Sequence, residues 1–359
     1  MMKLLIFPIL LSLPVLGLGQ GTGTETSISN RSNDPDPSLG TGTETSIGNR
    51  SNDPDPSLGT GTGTSIGNRS NEGRQVSEAG IRHSFLLCGP VTALFGESGE
   101  VVWQGPPKSR DGMVLENGNV LISVQNEARE YQKGTQEVVW SYQLDPRNKE
   151  LGTVSRLADG NTLMVERGVV PRLIEVSPEG EIVVEVPLQP ETDNIHMQTR
   201  MARKLPSGNY LVPHLLAFQI KEYTPTGEVV RSIATDLPEL GGREGKNWPF
   251  TAILLENGNV LATLTNGNKV VEFAPDGSVA WVCDNTHVGG RFRDPCGGQR
   301  LPNGNTVVGS YRANKPGLVK LFEVTPEKEV VWEFFHPKAR GHGICILTTN
   351  GERVAPFLR

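Results

Sequence analysis
A chain of 359 residues with 40 acidic and 34 basic side chains carries a formal net charge of −6, and neither sign is gathered into a block. That distribution excludes the basic stripe or face by which nucleic-acid binders hold phosphates. Four cysteines, Cys88, Cys283, Cys296 and Cys345, occur without any Cys-x-x-Cys spacing, so c-type haem attachment and zinc knuckles lose their usual ligands.

Residues 1–18 hold one lysine and an apolar run broken by Pro8 and Pro14, then reach Gly17-Leu18-Gly19 before Gln20, a small-x-small cleavage pattern. A signal peptide over 1–19 is expected, and with it a secreted, periplasmic or cell-surface location. No stretch elsewhere approaches the roughly 20 apolar residues that a spanning helix needs, so the chain is not expected to cross a membrane. Four cysteines in such a compartment allow three pairings, and Cys283 with Cys296 is favoured because both flank one connector. Over 20–80 a unit rich in Gly, Thr, Asn and Asp-Pro repeats at 21–39 and 40–58 and again in part from Gly59. With one or two aliphatic residues per unit it cannot offset its own ordering entropy, and it is expected to be a disordered linker. Asn30, Asn49 and Asn68 each open an Asn-Arg-Ser acceptor for N-glycosylation.

From 81 to 359 two phrases alternate. One is a turn followed by a strand that often ends in Trp: Gly99-Glu100-Val101-Val102-Trp103, Gln136-Glu137-Val138-Val139-Trp140, Gly180-Glu181-Ile182-Val183, Gly227-Glu228-Val229-Val230, Gly277-Ser278-Val279-Ala280-Trp281 and Lys328-Glu329-Val330-Val331-Trp332. The other is Leu-x-x-Gly-Asn before apolar residues, beginning at Leu115, Leu157, Leu205, Leu255 and Leu301, with a weaker copy at Leu347. Self-similarity every roughly 40 to 50 residues, built of strands and hairpin turns, predicts an all-β fold, a β-propeller. The chain enters on an outer hairpin (91–104) and leaves on an inner one (344–357), which predicts six blades with a two-plus-two strand closure. Trp103, Trp140, Trp281 and Trp332 share one place in the repeat and are expected to pack blade on blade. Glu175, Glu222, Glu272 and Glu323 also recur, with Glu130 one residue out of step, and are read as structural pairing.

Chemistry is expected on the face carrying the longer links, where residues occur that the repeat does not explain. These are His196, Arg200, Arg203, Arg243, Trp248, His287, Arg291, Arg293 and Arg300 on the longest links, with Glu166, Arg167, His214, Tyr311, Arg312, Arg340 and His342 on shorter ones. Guanidinium forks and imidazoles converging at a channel mouth would suit sulfate, phosphate or carboxylate. Four histidines on four links would also suit zinc or copper, but their scattered spacing carries no metal signature, and no cofactor is predicted.

Leu301-Pro302-Asn303-Gly304-Asn305-Thr306-Val307-Val308, Phe322-Glu323-Val324 and Glu329-Val330-Val331-Trp332-Glu333 resemble the repeat of arylsulfotransferase-like and quinoprotein (PQQ)-like propellers over about 90–359. The resemblance implies the propeller fold and, for the first family, a histidine that takes up a sulfuryl group among further His and Arg. His196, ahead of Leu205-Pro206-Ser207-Gly208-Asn209, is the matching candidate, whereas Cys296-Gly297-Gly298 stands at the equivalent place before Leu301. The expected function is a secreted, monomeric binding module for an anionic or carbohydrate-like ligand or a protein partner. A sulfuryl-transferring enzyme using His196 is the alternative.

Overall fold
A computed structural model describes residues 72–189 and 191–354. The expected signal peptide over 1–19, the expected linker up to residue 71 and the acceptor positions Asn30, Asn49 and Asn68 lie outside the described residues. Strands β1 (Arg74–Val76), β2 (His83–Cys88), β3 (Ala93–Phe95) and β4 (Val101–Gln104) come first and complete sheets begun by the other end of the chain. Four antiparallel blades then follow in sequence order. They are β5 (Ser109–Val114), β6 (Val120–Val124), β7 (Glu127–Tyr131) and β8 (Val138–Gln143); β9 (Asn148–Arg156), β10 (Thr162–Gly168), β11 (Arg172–Val176) and β12 (Ile182–Pro187); β13 (Arg203–Lys204), β14 (Tyr210–His214), β15 (Gln219–Tyr223) and β16 (Val229–Ala234); and β17 (Asn247–Leu254), β18 (Val260–Asn266), β19 (Lys269–Phe273) and β20 (Val279–Asp284). After the one-turn helix α1 (Asn285–Val288), β21 (Pro295–Arg300), β22 (Thr306–Ser310), β23 (Val319–Val324) and β24 (Val330–Phe335) form the next blade, to whose outer edge β1 is added. β25 (Gly343–Thr349) and β26 (Glu352–Arg353) close the ring in a sheet ordered β26-β25-β2-β3-β4.

The protein is therefore an all-β, six-bladed propeller closed by strand pairing between its two ends. The expected outer hairpin (β3–β4) and inner hairpin (β25–β26) both lie in the closing sheet, but they do not pair with each other, so the two-plus-two pairing is corrected to three strands from the first end and two from the other. Between them lies β2, which the repeat pattern did not single out; its Phe85, Leu86, Leu87 and Cys88 are all buried, so it enters as a core strand. Arg74–Val76 fall within the stretch read as linker, yet they are ordered here because Gln75 is claimed by two partners. Its amide donates to the His83 carbonyl at 2.8 Å, and its oxygen accepts from Trp332 Nε1 at 2.8 Å.

Each Leu-x-x-Gly-Asn phrase is a four-residue turn. In the first, Leu115 N–H donates to Asn119 O and Gly118 N–H to Leu115 O, with Gly118 at φ 86°, a region that favours glycine. The repeated glutamates tie blades together. Glu130 accepts from Asn119 of its own blade and from Arg156 of the next, each at 2.7 Å. Glu175 pairs with Lys204 at 2.6 Å and Glu323 with His83 at 2.8 Å in the same manner. Glu130 faces Trp140 across the sheet as Glu272 faces Trp281, so it occupies the common position, and the turn after Tyr131 is one residue longer. Trp103 and Trp281 donate to Thr135 O and Pro326 O in the turns of the following blades. These contacts recur because each blade must bury its face on the next.

Cys88, Cys283, Cys296 and Cys345 are all buried, and Cys283, Cys296 and Cys345 are free thiols. The expected Cys283–Cys296 bridge is thus corrected: Cys283 points into the apolar packing with Phe292 and Val308, while Cys296 packs with Met201 and Phe250 in a different cluster.

Candidate anion-binding site at the long-loop mouth
The inner strands run from the long-link face toward the short-turn face, and residues at their first positions surround the channel mouth. Arg110 stands second in β5 and Glu150 third in β9, while Arg167 is next to last in β10. The link from β12 to β13 brings His196, on a single turn (Ile195–Met197), and Arg200. His342 immediately precedes β25.

These residues form one charged cluster. Glu150 Oε2 lies 3.1 Å from Arg110 Nη2 and 2.6 Å from Arg167 Nη2, while its Oε1 is 3.4 Å from His196 Nδ1. The short Arg167–Glu150 approach is an ion pair but is out of line for a hydrogen bond, and Arg167 Nη2 and Nε remain without an acceptor. Arg167 Nη1 donates to the His196 carbonyl at 3.2 Å, and Arg200 donates to the same oxygen and to Thr199 O. Arg200 Nε has no acceptor. Arg167 and Arg200 are 0% and 3% exposed, so water does little to solvate them. Two guanidinium groups thus share one carboxylate while a third, Arg200, has only carbonyl partners, which leaves an excess of positive charge in a desolvated place.

The proton affinities reflect that excess. Burial and then repulsion from Arg200 and Arg110 push Arg167 well below the usual arginine range. Burial and then Arg110 push Arg200 down to about 10. Burial opposes ionisation of Glu150, but the His196 hydrogen bond and the charges of Arg167 and Arg110 outweigh it and hold the carboxyl far below its ordinary value. His342 is driven well below the usual histidine range by burial and by the charge of Arg110, with Arg200 and Arg167 adding to it.

An aromatic wall adjoins the cations. The Arg200 guanidinium lies 5.4 Å from the Phe250 ring centre. The His342 ring meets Phe250 and Tyr311 edge-on at 4.9 and 5.3 Å, and its Nδ1 is 2.8 Å from the Arg110 carbonyl oxygen. Arg340 covers Tyr311 at 5.6 Å.

Of the residues expected at the site, His196, Arg200 and His342 come together here with Arg167 and Tyr311. Arg203 lies deeper, pairing with Asp111 at 3.1 Å, and joins inner strands of two blades. The other histidines do not converge with these. His214 is buried between Glu191 (3.3 Å) and Tyr223 (3.0 Å), and His287 caps α1 through Asp284 at 2.9 Å. Arg291 pairs with Glu333 and Arg312 with Asp294, and Arg293 is exposed, while Arg300, expected on the long-link face, ends β21 beside the Leu301 turn and pairs with Glu272 as Arg156 does with Glu130. Trp248 is half-buried in β17, with its indole nitrogen lacking an acceptor. Sequence reasoning missed Arg110, Glu150 and Phe250. The one available signal was that they are unrepeated side chains at the entry ends of inner strands. Among the described residues no three His, Cys, Asp or Glu side chains are gathered as metal ligands.

The fold and the mouth define a β-propeller with a cationic, aromatic-flanked channel entrance. No protein-family model matches the chain, and no curated protein does. Solved structures share its architecture. A protein of unknown function from Bacteroides caccae has a TM-score of 0.64 at 20% identity over 74% of this chain and 98% of its own. A streptogramin B lyase follows at 0.52 and 12%, over 77% of this chain and 94% of the lyase. The WD40 β-propeller domain of Doa1 gives 0.51 and 12%, over 77% and 89%. At such identities the likeness is one of fold alone.

Proposed function
We propose that the chain is a secreted propeller-type binding module whose long-loop mouth takes a small anionic ligand on Arg110, Arg167 and Arg200. One observation carries the reading: Arg110 and buried Arg167 share the carboxylate of Glu150, the buried Arg200 beside them has only carbonyl oxygens as partners, and buried N–H groups of Arg167 and Arg200 are left without acceptors. An anion seated there would neutralise the remaining charge and accept those hydrogens, and Arg110, at 20% side-chain exposure, offers the route of approach. Secretion rests on the signal peptide read in residues 1–19.

Calorimetric titration with sulfate, inorganic phosphate and propionate tests the proposal. At least one is expected to bind, with Arg110→Met weakening it by about tenfold or more, the value of one charge-assisted hydrogen bond. Absence of heat and of any melting shift with all three anions would sink the reading.

A sulfuryl-transfer enzyme is favoured by one feature, the half-exposed His196 imidazole at the edge of the arginine cluster. In that reading a ring nitrogen attacks the sulfur of an aryl sulfate, the S–O bond breaks to release the phenolate, and the sulfuryl group passes to an acceptor hydroxyl. Phenol release from 4-nitrophenyl sulfate that disappears in His196→Ala would establish it; no release by the wild-type chain rejects it.

A further inference from the structure
The cation cluster accounts for an anion, but not for the imidazole beside it. His342 is 7% exposed, and its Nδ1 lies 2.8 Å from the Arg110 carbonyl oxygen, an atom that can only accept. The ring proton is therefore on Nδ1, and Nε2 carries a lone pair. Protonation of Nε2 is opposed by burial and by Arg110, Arg200 and Arg167, three cations on three different segments of the mouth. A hydrogen-bond acceptor is thus maintained beside guanidinium groups that can only donate. Sulfate or a plain carboxylate would satisfy the arginines and leave this acceptor idle. A second feature narrows the anion. Glu150 already places a carboxylate oxygen between Arg110 and Arg167, at 3.1 and 2.6 Å, so the forks are spaced for oxygens of that kind. Third, Phe250 and Tyr311 flank His342, and such apolar rings beside a few convergent polar groups suit the C–H faces of an organic ligand.

We infer that the anion accepted here is a hydroxy-carboxylate of the sugar-acid type, its carboxylate held by the guanidinium groups and one hydroxyl donating to Nε2 of His342. The inference rests on the anion-site reading above and adds the ligand's second functional group.

Calorimetry with D-glucuronate, propionate and D-glucose separates the two. The wild-type chain should prefer glucuronate to propionate by about tenfold, the worth of one added hydrogen bond in a desolvated site, and should not bind glucose. In His342→Phe, which keeps an aromatic ring against Phe250 and Tyr311 but has no lone pair, the ratio should fall to about one. Equal affinities for the two carboxylates in the wild type, or a preference that survives His342→Phe, overturns the inference and leaves the anion site standing. Failure of both carboxylates to bind overturns the inference, and if sulfate and phosphate fail as well, the site reading falls with it. Nitrogen NMR of the wild-type chain provides a check that needs no variant to fold. The His342 Nε2 resonance should lie in the unprotonated range and move on adding glucuronate but not propionate; a protonated Nε2 in the free protein overturns the inference.

Discussion

Replacing Arg200 with Met asks whether the channel mouth is short of negative charge. Burial and the facing Arg110 bring the Arg200 pKa down to about 10 from an ordinary 12.5. At 1.36 kcal/mol per unit the charged form is disfavoured by roughly 3 kcal/mol in the ligand-free fold. Against that stand its donations to the His196 and Thr199 carbonyls and its contact with Phe250. Two hydrogen bonds from a charged donor contribute about 1.5 kcal/mol or more each, so the opposing terms nearly cancel. Arg200→Met, of similar girth and no charge, should therefore change the unfolding free energy in urea by less than about 1 kcal/mol, whereas breaking a well-compensated buried pair costs about 3–5 kcal/mol. The same variant should lose most of the stabilisation that a bound anion confers, about 2.7 kcal/mol at a hundredfold excess over Kd. The assay is a pair of urea titrations, without and with saturating propionate or sulfate. A loss of about 3 kcal/mol or more in the ligand-free protein would show that the cluster is already neutralised and would refute the reasoning.

Glu150→Gln removes the cluster's one carboxylate and should destabilise the ligand-free chain by about 3 kcal/mol, with much of the loss restored by added sulfate; thermal melts in chloride and sulfate buffers decide it. Lys320 is buried, donates to the Ala313 and Lys315 carbonyls, and is pushed down to about 8 by burial and then Arg340. Because the unfolded chain then binds more protons than the folded one between about pH 8 and 10.5, this lysine makes stability rise with pH across that window. The wild-type minus Lys320→Met difference in unfolding free energy should rise accordingly, and a flat or falling difference contradicts the assignment. Gln75→Ala strips the His83 carbonyl and Trp332 Nε1 of their partners and should cost about 1–3 kcal/mol by calorimetric unfolding; no change would mean that β1 is dispensable. Finally, Cys283 and Cys296 should be unreactive to a disulfide reagent in the native protein, and both should be labelled after denaturation without reductant. Labelling of neither would restore the Cys283–Cys296 bridge.

The sequence by itself determined the architecture, because propeller scaffolding is local and repeated. A glycine of positive φ in each Leu-x-x-Gly-Asn turn, a glutamate on the third strand of five blades and a Trp or aliphatic residue on each outer strand do the same job in successive blades, so the pattern is visible as periodicity. Even Glu130, displaced by a longer turn, resolves into the shared position. The channel mouth has no such signature. Arg110, Glu150, Arg167, Arg200 and His342 each occur once and are separated by up to 232 residues, the span from Arg110 to His342. They meet because closing the ring points the entry ends of the inner strands at one axis. Long-link position was enough to flag His196, Arg200 and His342, but it flagged His214, His287, Arg291 and Arg312 equally, and packing sent those to carboxylates on the blades or rim. Whether an arginine finds its own carboxylate or must share one is decided by which blades face each other across the channel. Tertiary structure alone placed Arg110 and Arg167 on Glu150 with Arg200 beside them, and with them the unbalanced charge on which the proposed activity depends.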